Sequence, residues 1–279
     1  MLSRIVAILA FMPFFIQAQI NSECGFKMSQ NDFANYIARV QSVSSLLPHD
    51  TCLNRELSVV FHIVLDSNRQ TGVIPADMDT CISKLNRAWK PICMAFKKCS
   101  VNYVSDYNYN QWKDVLHEPT FSSNYYVDKT IDIVLVESII TPGGAAGYAD
   151  LMGHIVLKKN SLLGTVPIHE MGHLFGLQHT FAEISTQSDM GPSSELVVRS
   201  NCTTKGDGFC DTEADPYPNG KVPGAPCGFQ PGPKDANNNY YTPPLDNYMT
   251  YFKACNCRFT QEQYNFMALT FILSGTQLH

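Results

Sequence analysis

The chain has 279 residues, a hydrophobic share of 44% and a formal net charge of −5 at neutral pH. That length holds one large domain or two modest ones, with apolar residues enough for a core. The negative balance excludes a basic footprint for nucleic acid or for an anionic membrane surface.

Arg4 precedes an apolar run from Ile5 to Ile16, and Gln17-Ala18-Gln19 follows. This is the layout of a secretory signal peptide, so residues 1–19 are expected to be removed near Ala18 or Gln19. The run is short for a permanent anchor, and no other stretch is long and apolar enough to cross a bilayer. The mature chain is therefore expected to be secreted and free of the membrane. Residues 20–56 are polar and mixed, with one helix expected around Asn31 to Val43.

From Leu57 to Leu65 the residues are apolar and β-branched, which predicts a strand. Asp66 to Gly72 reads as a turn, and Pro75 opens a helical pattern. Met78, Cys81, Ile82, Leu85 and Trp89 recur at spacings of three and four and share one helix face. Ser100–Val104 and Ile131–Glu137 read as further strands, the second apolar enough to lie inside a sheet. His154–Leu157 is a short fourth strand, and a helix is expected near Val166 to Leu174. Residues 181–246 are dense in Gly, Pro, Asn, Asp and Ser and should be irregular. A last helix begins at Thr260, with Gln263 placed to complete a capping box. Its Phe266, Met267, Leu269, Thr270 and Leu273 would pack it onto the irregular half.

The ten cysteines are Cys24, Cys52, Cys81, Cys93, Cys99, Cys202, Cys210, Cys227, Cys255 and Cys257. In an exported chain this density indicates disulfides, with connectivity unreadable from spacing. Cys255-Asn256-Cys257 is too tight for a zinc knuckle. Asn201-Cys202-Thr203 is an N-glycosylation sequon.

The chemistry concentrates in His169-Glu170-Met171-Gly172-His173-Leu174-Phe175-Gly176-Leu177-Gln178-His179. On a helix, positions i and i+4 share a face, so His169 and His173 can turn imidazoles toward one ion. Gly176 has no Cβ and can take the positive φ that ends a helix and folds the chain back. His179 would then approach from the other side, giving three zinc ligands and an open position. Glu170 stands beside the first ligand, where its carboxylate reaches a metal-bound water without ligating the ion. A structural zinc site is disfavoured, because it would use four protein ligands and leave Glu170 without a task.

The run resembles the metzincin signature His-Glu-x-x-His-x-x-Gly-x-x-His. Asn247-Tyr248-Met249-Thr250-Tyr251 resembles the methionine turn that lies beneath the metal in metzincins. His179-Thr180-Phe181, Gly206-Asp207-Gly208-Phe209-Cys210-Asp211-Thr212 and Phe259-Thr260-x-x-Gln263 together look like the pappalysin family, in its ulilysin-like branch. Val59 to Val64 and Gly144 to Ala149 resemble that family's first strand and the segment before its active-site helix, so the likeness covers about residues 57–273. It implies an α+β, metzincin-type zincin fold: a twisted mixed sheet with helices above a cleft and an irregular, disulfide-containing lower subdomain. With the N-terminal run, the expected division is a signal peptide at 1–19, a propeptide at 20–56 and a metzincin-like catalytic domain at 57–279.

The implied function is that of a secreted zinc endopeptidase acting on protein or peptide substrates. Glu170 would be the general base and Tyr251 a donor to the oxyanion, with Met249 and Gly176 structural. Asp207, Asp211 and Thr212, with Glu213 near them, are oxygen ligands suited to calcium, which pappalysin-like enzymes carry nearby; a solvated acidic turn is the alternative. Cys24 is either a thiolate that covers the metal in a latent form or a disulfide partner. Gly143 to Gly147 either lets a substrate backbone pair with a strand edge or is a flexible loop. Family members that cleave at basic residues carry acids after the Met-x-Tyr, whereas this chain has Phe252-Lys253. Two rivals stand beside this reading: a metzincin of another family, such as an astacin-like one, and a catalytically silent, zinc-stabilised secreted binding module.

Overall fold

The computed structural model describes residues 52–141, 145–150, 153–186, 193–217, 232–252 and 255–273, together with Asn35, Ala38 and Ser42. The leader, Cys24 and Gly143–Gly144 lie outside the described residues, as does most of the expected helix at 31–43. Asn35, Ala38 and Ser42 within that stretch are helical.

The centre is a five-stranded sheet in the order β2-β1-β4-β7-β6, from β1 (Arg55–Val64), β2 (Met94–Val104), β4 (Ile131–Val136), β6 (Gly147–Ala149) and β7 (His154–Lys158). All neighbours run parallel except β6, which lies antiparallel to β7 at the sheet's edge. β3 (Gln111–Trp112) and β5 (Ser138–Ile139) form a separate parallel pair. Four α-helices accompany them among the described residues: α1 (Pro75–Trp89), α2 (Asp114–Tyr125), α3 (Val166–Leu174) and α4 (Gln261–Leu273).

Period-two alternation in the strands builds a core on each face of the sheet. Leu57, Val59, Phe61 and Ile63 of β1, with Ile131, Ile133 and Leu135 of β4, face α1, α3 and α4. Met78, Cys81, Leu85 and Trp89 of α1 meet them, so the spaced face read from the sequence is the buried one. On the other face Val134, Val136 and Val156 pack on Trp112, Phe121 and Tyr148. On that side His62 Nε2 lies 2.6 Å from Asp132 Oδ1, both side chains essentially inaccessible.

Several expectations change. β2 starts at Met94 rather than Ser100, because its outer residues Lys97 to Ser100 sit on a sheet edge and dilute the apolar signal. α2 gives little sequence warning: Pro119 lies inside it, and it is held by Phe121 packing on the sheet face. α4 does begin with its capping box, Thr260 N–H donating to Gln263 Oε1 at 3.0 Å and Gln263 N–H to Thr260 Oγ1 at 3.3 Å. It packs on more than the irregular half, since Tyr264 donates to the Ala88 carbonyl at 2.8 Å and Phe271 lies 6.3 Å from Phe175.

Disulfides join Cys52 to Cys93 and Cys202 to Cys210, and Cys255 is disulfide-bonded as well. The expected disulfides are thus present, and beside them Cys81, Cys99 and Cys257 are thiols. Burial explains Cys81: it belongs to the α1 core face, and desolvation pushes its pKa up to about 12.

Candidate metal centre

α3 starts after Thr165, with Pro167 in its first turn, where the missing N–H costs nothing. His169 and His173 then fall one above the other. The helix stops in a Schellman motif: Gly176, at φ +90°, donates to the His173 carbonyl at 2.8 Å, and Leu177 N–H donates to the Gly172 carbonyl at 3.0 Å. A Cβ at Gly176 would also meet the Phe266 ring at 3.2 Å and Thr270 Cγ2 at 3.3 Å. This reversal brings His179 back to the other two histidines.

The Nε2 atom of His173 lies 3.1 Å from that of His169 and 3.2 Å from that of His179. His169 Nδ1 lies 2.7 Å from the Tyr248 carbonyl, and His173 Nδ1 lies 2.8 Å from the Leu177 carbonyl. A carbonyl only accepts, so each Nδ1 carries its proton and each Nε2 presents a lone pair. Lone pairs aimed at one another repel unless a cation lies between them. Burial, then the neighbouring His179 and His169, hold the His173 pKa well below its ordinary value, keeping it a neutral ligand. Nitrogens held about 2.0–2.1 Å from a tetrahedral ion stand roughly 3.3 Å apart, close to the separations seen here. The donor set therefore fits a divalent metal.

The surrounding residues fix this arrangement. A Cβ on Gly172 would come within 2.6 Å of Met249 Sδ, so the fully buried Met249 lies directly against the helix that carries the ligands. Its turn is tied twice, Met249 N–H donating to Asn247 Oδ1 at 2.8 Å and Thr180 N–H to the Met249 carbonyl at 3.2 Å. The Tyr251 ring stands 4.6 Å from His179 and 5.8 Å from His169. Glu170 is buried, and a Cβ on Gly147 would meet its Cγ and Oε1 at 3.0 Å. Glycine at the start of edge strand β6 thus makes room for the carboxylate.

Asp215 was not singled out in the sequence, yet it joins the ligand loop to the methionine turn. Its Oδ2 accepts from Thr180 Oγ1 at 2.6 Å and Thr250 Oγ1 at 2.8 Å. Nothing local announces this, because the partners lie 35 residues to either side.

The acidic segment is buried at two of its positions and half-buried at Asp211 and Glu213. Asp207 and Thr212 have no exposed surface, and Asp207 Oδ1 accepts from Phe209 N–H at 3.0 Å. Burial raises the Asp207 pKa well above the usual carboxylate range, and the Asp211 charge adds to it. Glu195, also missed, is packed so closely that a Cβ on Gly206 would lie 2.3 Å from its Oε2. Both its carboxylate oxygens are buried without a hydrogen-bond partner among the described residues. Burial first, then Asp207, pushes its pKa up to about 9. These acids do not bring three ligand atoms within 4.8 Å of one another, and Glu213 turns toward Arg258 at 3.7 Å instead.

A second histidine cluster went unread in the sequence. His154 Nδ1 lies 2.9 Å from Asp150 Oδ2 and 3.5 Å from Glu118 Oε1, beneath the stacked ring of Tyr126. Glu118 also accepts from the Tyr126 and Tyr148 hydroxyls, each at 2.8 Å.

No protein-family profile matches the chain. It is 26% identical over 228 residues to an extracellular metalloprotease of Colletotrichum graminicola, covering 74% of this chain and 73% of the relative. It is 25% identical over 238 residues to an extracellular metalloprotease of Sordaria macrospora, covering 74% and 71%. Among solved structures, a mutant of promirolysin from Tannerella forsythia superposes with a TM-score of 0.61 at 16% identity, covering 91% of this chain and 95% of that one. At that identity the likeness speaks for the fold alone: α+β, built on a twisted mixed sheet.

Proposed function

We propose that the chain is a secreted zinc metalloendopeptidase of the pappalysin branch of the metzincins. One observation carries the reading: three buried histidines whose Nε2 atoms converge, two of them with Nδ1 locked onto backbone carbonyls, one helical step from a buried glutamate. The relatives named extracellular metalloproteases support the activity and the export. The Gly206–Thr212 and Phe259–Gln263 segments support the branch.

His169, His173 and His179 would hold zinc, which when bound supplies a Lewis acid that polarises the scissile carbonyl and acidifies water. Glu170 takes the proton from the attacking water and delivers it to the leaving amine. Its burial against Gly147 keeps the carboxylate at the foot of β6, the last strand of the sheet among the described residues, along which an extended substrate backbone would pair. Tyr251 donates a hydrogen bond to the developing oxyanion. Met249 supports the ligand helix from below.

Residues 1–19 are read as the signal peptide, 20–56 as the propeptide and 57–279 as the catalytic domain. Cys52 is bridged to Cys93 and Arg55 opens β1, so after a cut at residue 56 the propeptide would stay joined to the catalytic domain through that disulfide. Asp207, Asp211 and Thr212, joined by Glu195, are the candidate calcium ligands; a dry carboxylate with both oxygens unmatched is what a cation would compensate. Cys24 stays a candidate latency residue.

The test is casein cleavage by the zinc-loaded chain and by Glu170→Gln, with zinc content measured in both. Cleavage by the native protein alone, at equal zinc, is expected. Absence of cleavage in both forms would leave the zinc-stabilised binding module as the better reading.

A further inference from the structure

The residues that continue outward from the metal centre are aromatic. Phe181 lies flat on His179, with ring centroids 4.7 Å apart and planes 7° apart. Tyr217 follows at 4.7 Å from Phe181 and 5.3 Å from Tyr251. Phe252 extends the run at 6.0 Å from Tyr217. Phe181 is fully buried, whereas Tyr217 and Phe252 are half-buried, so the run starts behind a ligand and surfaces beside the centre.

Among the described residues, the acid packed against this wall is turned inward. Asp215 has no exposed surface. Its Oδ2 is taken by Thr180 and Thr250, and its Oδ1 accepts from the Tyr217 N–H at 3.0 Å. A carboxylate so engaged offers nothing to a substrate cation.

We infer that this aromatic wall selects an apolar side chain, such as Leu, Met, Phe or Tyr, at one of the two substrate residues that flank the scissile bond, and rejects Lys and Arg there. The inference rests on the peptidase reading. An apolar side chain laid on half-buried rings leaves water at little polar cost, whereas an ammonium or guanidinium would lose hydration and find the Asp215 carboxylate already engaged. Pocket contacts of this kind discriminate by about ten- to hundredfold in kcat/KM.

The experiment is a digest of a random peptide library by the zinc-loaded full chain, with cut sites aligned. Enrichment of Leu, Met, Phe or Tyr over Lys and Arg by about tenfold or more at one flanking position is expected. Phe252→Asp should shrink that ratio and raise cleavage beside Lys or Arg, acting through KM more than kcat with zinc content unchanged. Tyr217→Ser provides the same readout if Phe252→Asp does not fold. Cleavage with a flat or basic profile overturns this inference and leaves the peptidase reading in place, as does a native profile retained in both folded variants. No cleavage by the zinc-loaded native chain overturns both.

Discussion

The two histidine clusters put the same side chain to opposite uses. At the ligand cluster, His169 and His173 hand their Nδ1 protons to backbone carbonyls, and burial keeps His173 neutral. At the other, burial also works against charge, but the Asp150 and Glu118 carboxylates outweigh it and push the His154 pKa up to about 9. The first cluster exposes lone pairs to a common point; the second holds an imidazolium in an ion pair. Proximity of three ligand-type residues, which both clusters have, does not separate them. What separates them is whether the hydrogen-bond partner is a neutral acceptor or a charged one.

The ligand cluster should break hardest. Replacing His173 by Ala removes the shared apex of the nitrogen contacts, and peptidase activity and zinc content are expected to fall together to background. Glu170→Gln should keep zinc and lose activity by about 10²–10⁴-fold, the range for removing a general base. Equal zinc loss in both variants, read by atomic absorption, would show that Glu170 acts as a ligand rather than a base. Gly176→Ala should be intermediate. A side chain at φ +90° with Phe266 and Thr270 already close costs on the order of 1–2 kcal/mol. Because the turn delivers His179, zinc affinity should drop along with the melting temperature.

The same contrast explains how much was legible in advance. The ligand cluster is local in sequence: eleven residues, a helical period and one glycine specify it, so His169, His173, Gly176 and His179 announce themselves. His154 meets Glu118 only because α2 packs near the β6–β7 hairpin, and Asp215 reaches Thr180 and Thr250 across 35 residues each way. β1, the α1 face, β4 and β7 carry strong periodicity and were readable. α2 carries little, and its Phe121 takes its meaning from the sheet it covers. Glu195 is the hardest case, since an acid in a polar, glycine-rich stretch reads as surface until its burial is seen.

Glu195 carries the comparison to a carboxylate that is buried without a hydrogen-bond partner among the described residues. Its pKa in the folded chain, about 9, stands above the ordinary 4.5, so without a cation the fold favours the protonated form. The stability it allows is complete below pH 4.5 and is lost as the pH rises toward 9. Calcium near a hundred times its dissociation constant should restore ~2.7 kcal/mol at the high end, or roughly 5–10 °C in melting temperature. Glu195→Gln should flatten the pH dependence and abolish the calcium effect. A calcium shift retained in that variant would move the cation elsewhere.

His154 gives the smallest and most specific effect. Its folded pKa, about 9, lies above the ordinary 6.5, and the sign follows from which state holds the proton. Below pH 6.5 both folded and unfolded chains carry it, and the ion pair contributes fully. Between 6.5 and 9 the unfolded chain releases the proton first, and the contribution fades until it is gone above 9. The side chain retains some solvent contact, so the pair is worth on the order of 1 kcal/mol after screening, about 2–4 °C for a chain of this size. His154→Gln should therefore lower the melting temperature at pH 6 and leave it nearly unchanged at pH 10. Zinc content should stay the same at both, because this histidine holds a proton where the ligand histidines offer a lone pair. Bound zinc lost from His154→Gln would contradict the division between the two clusters.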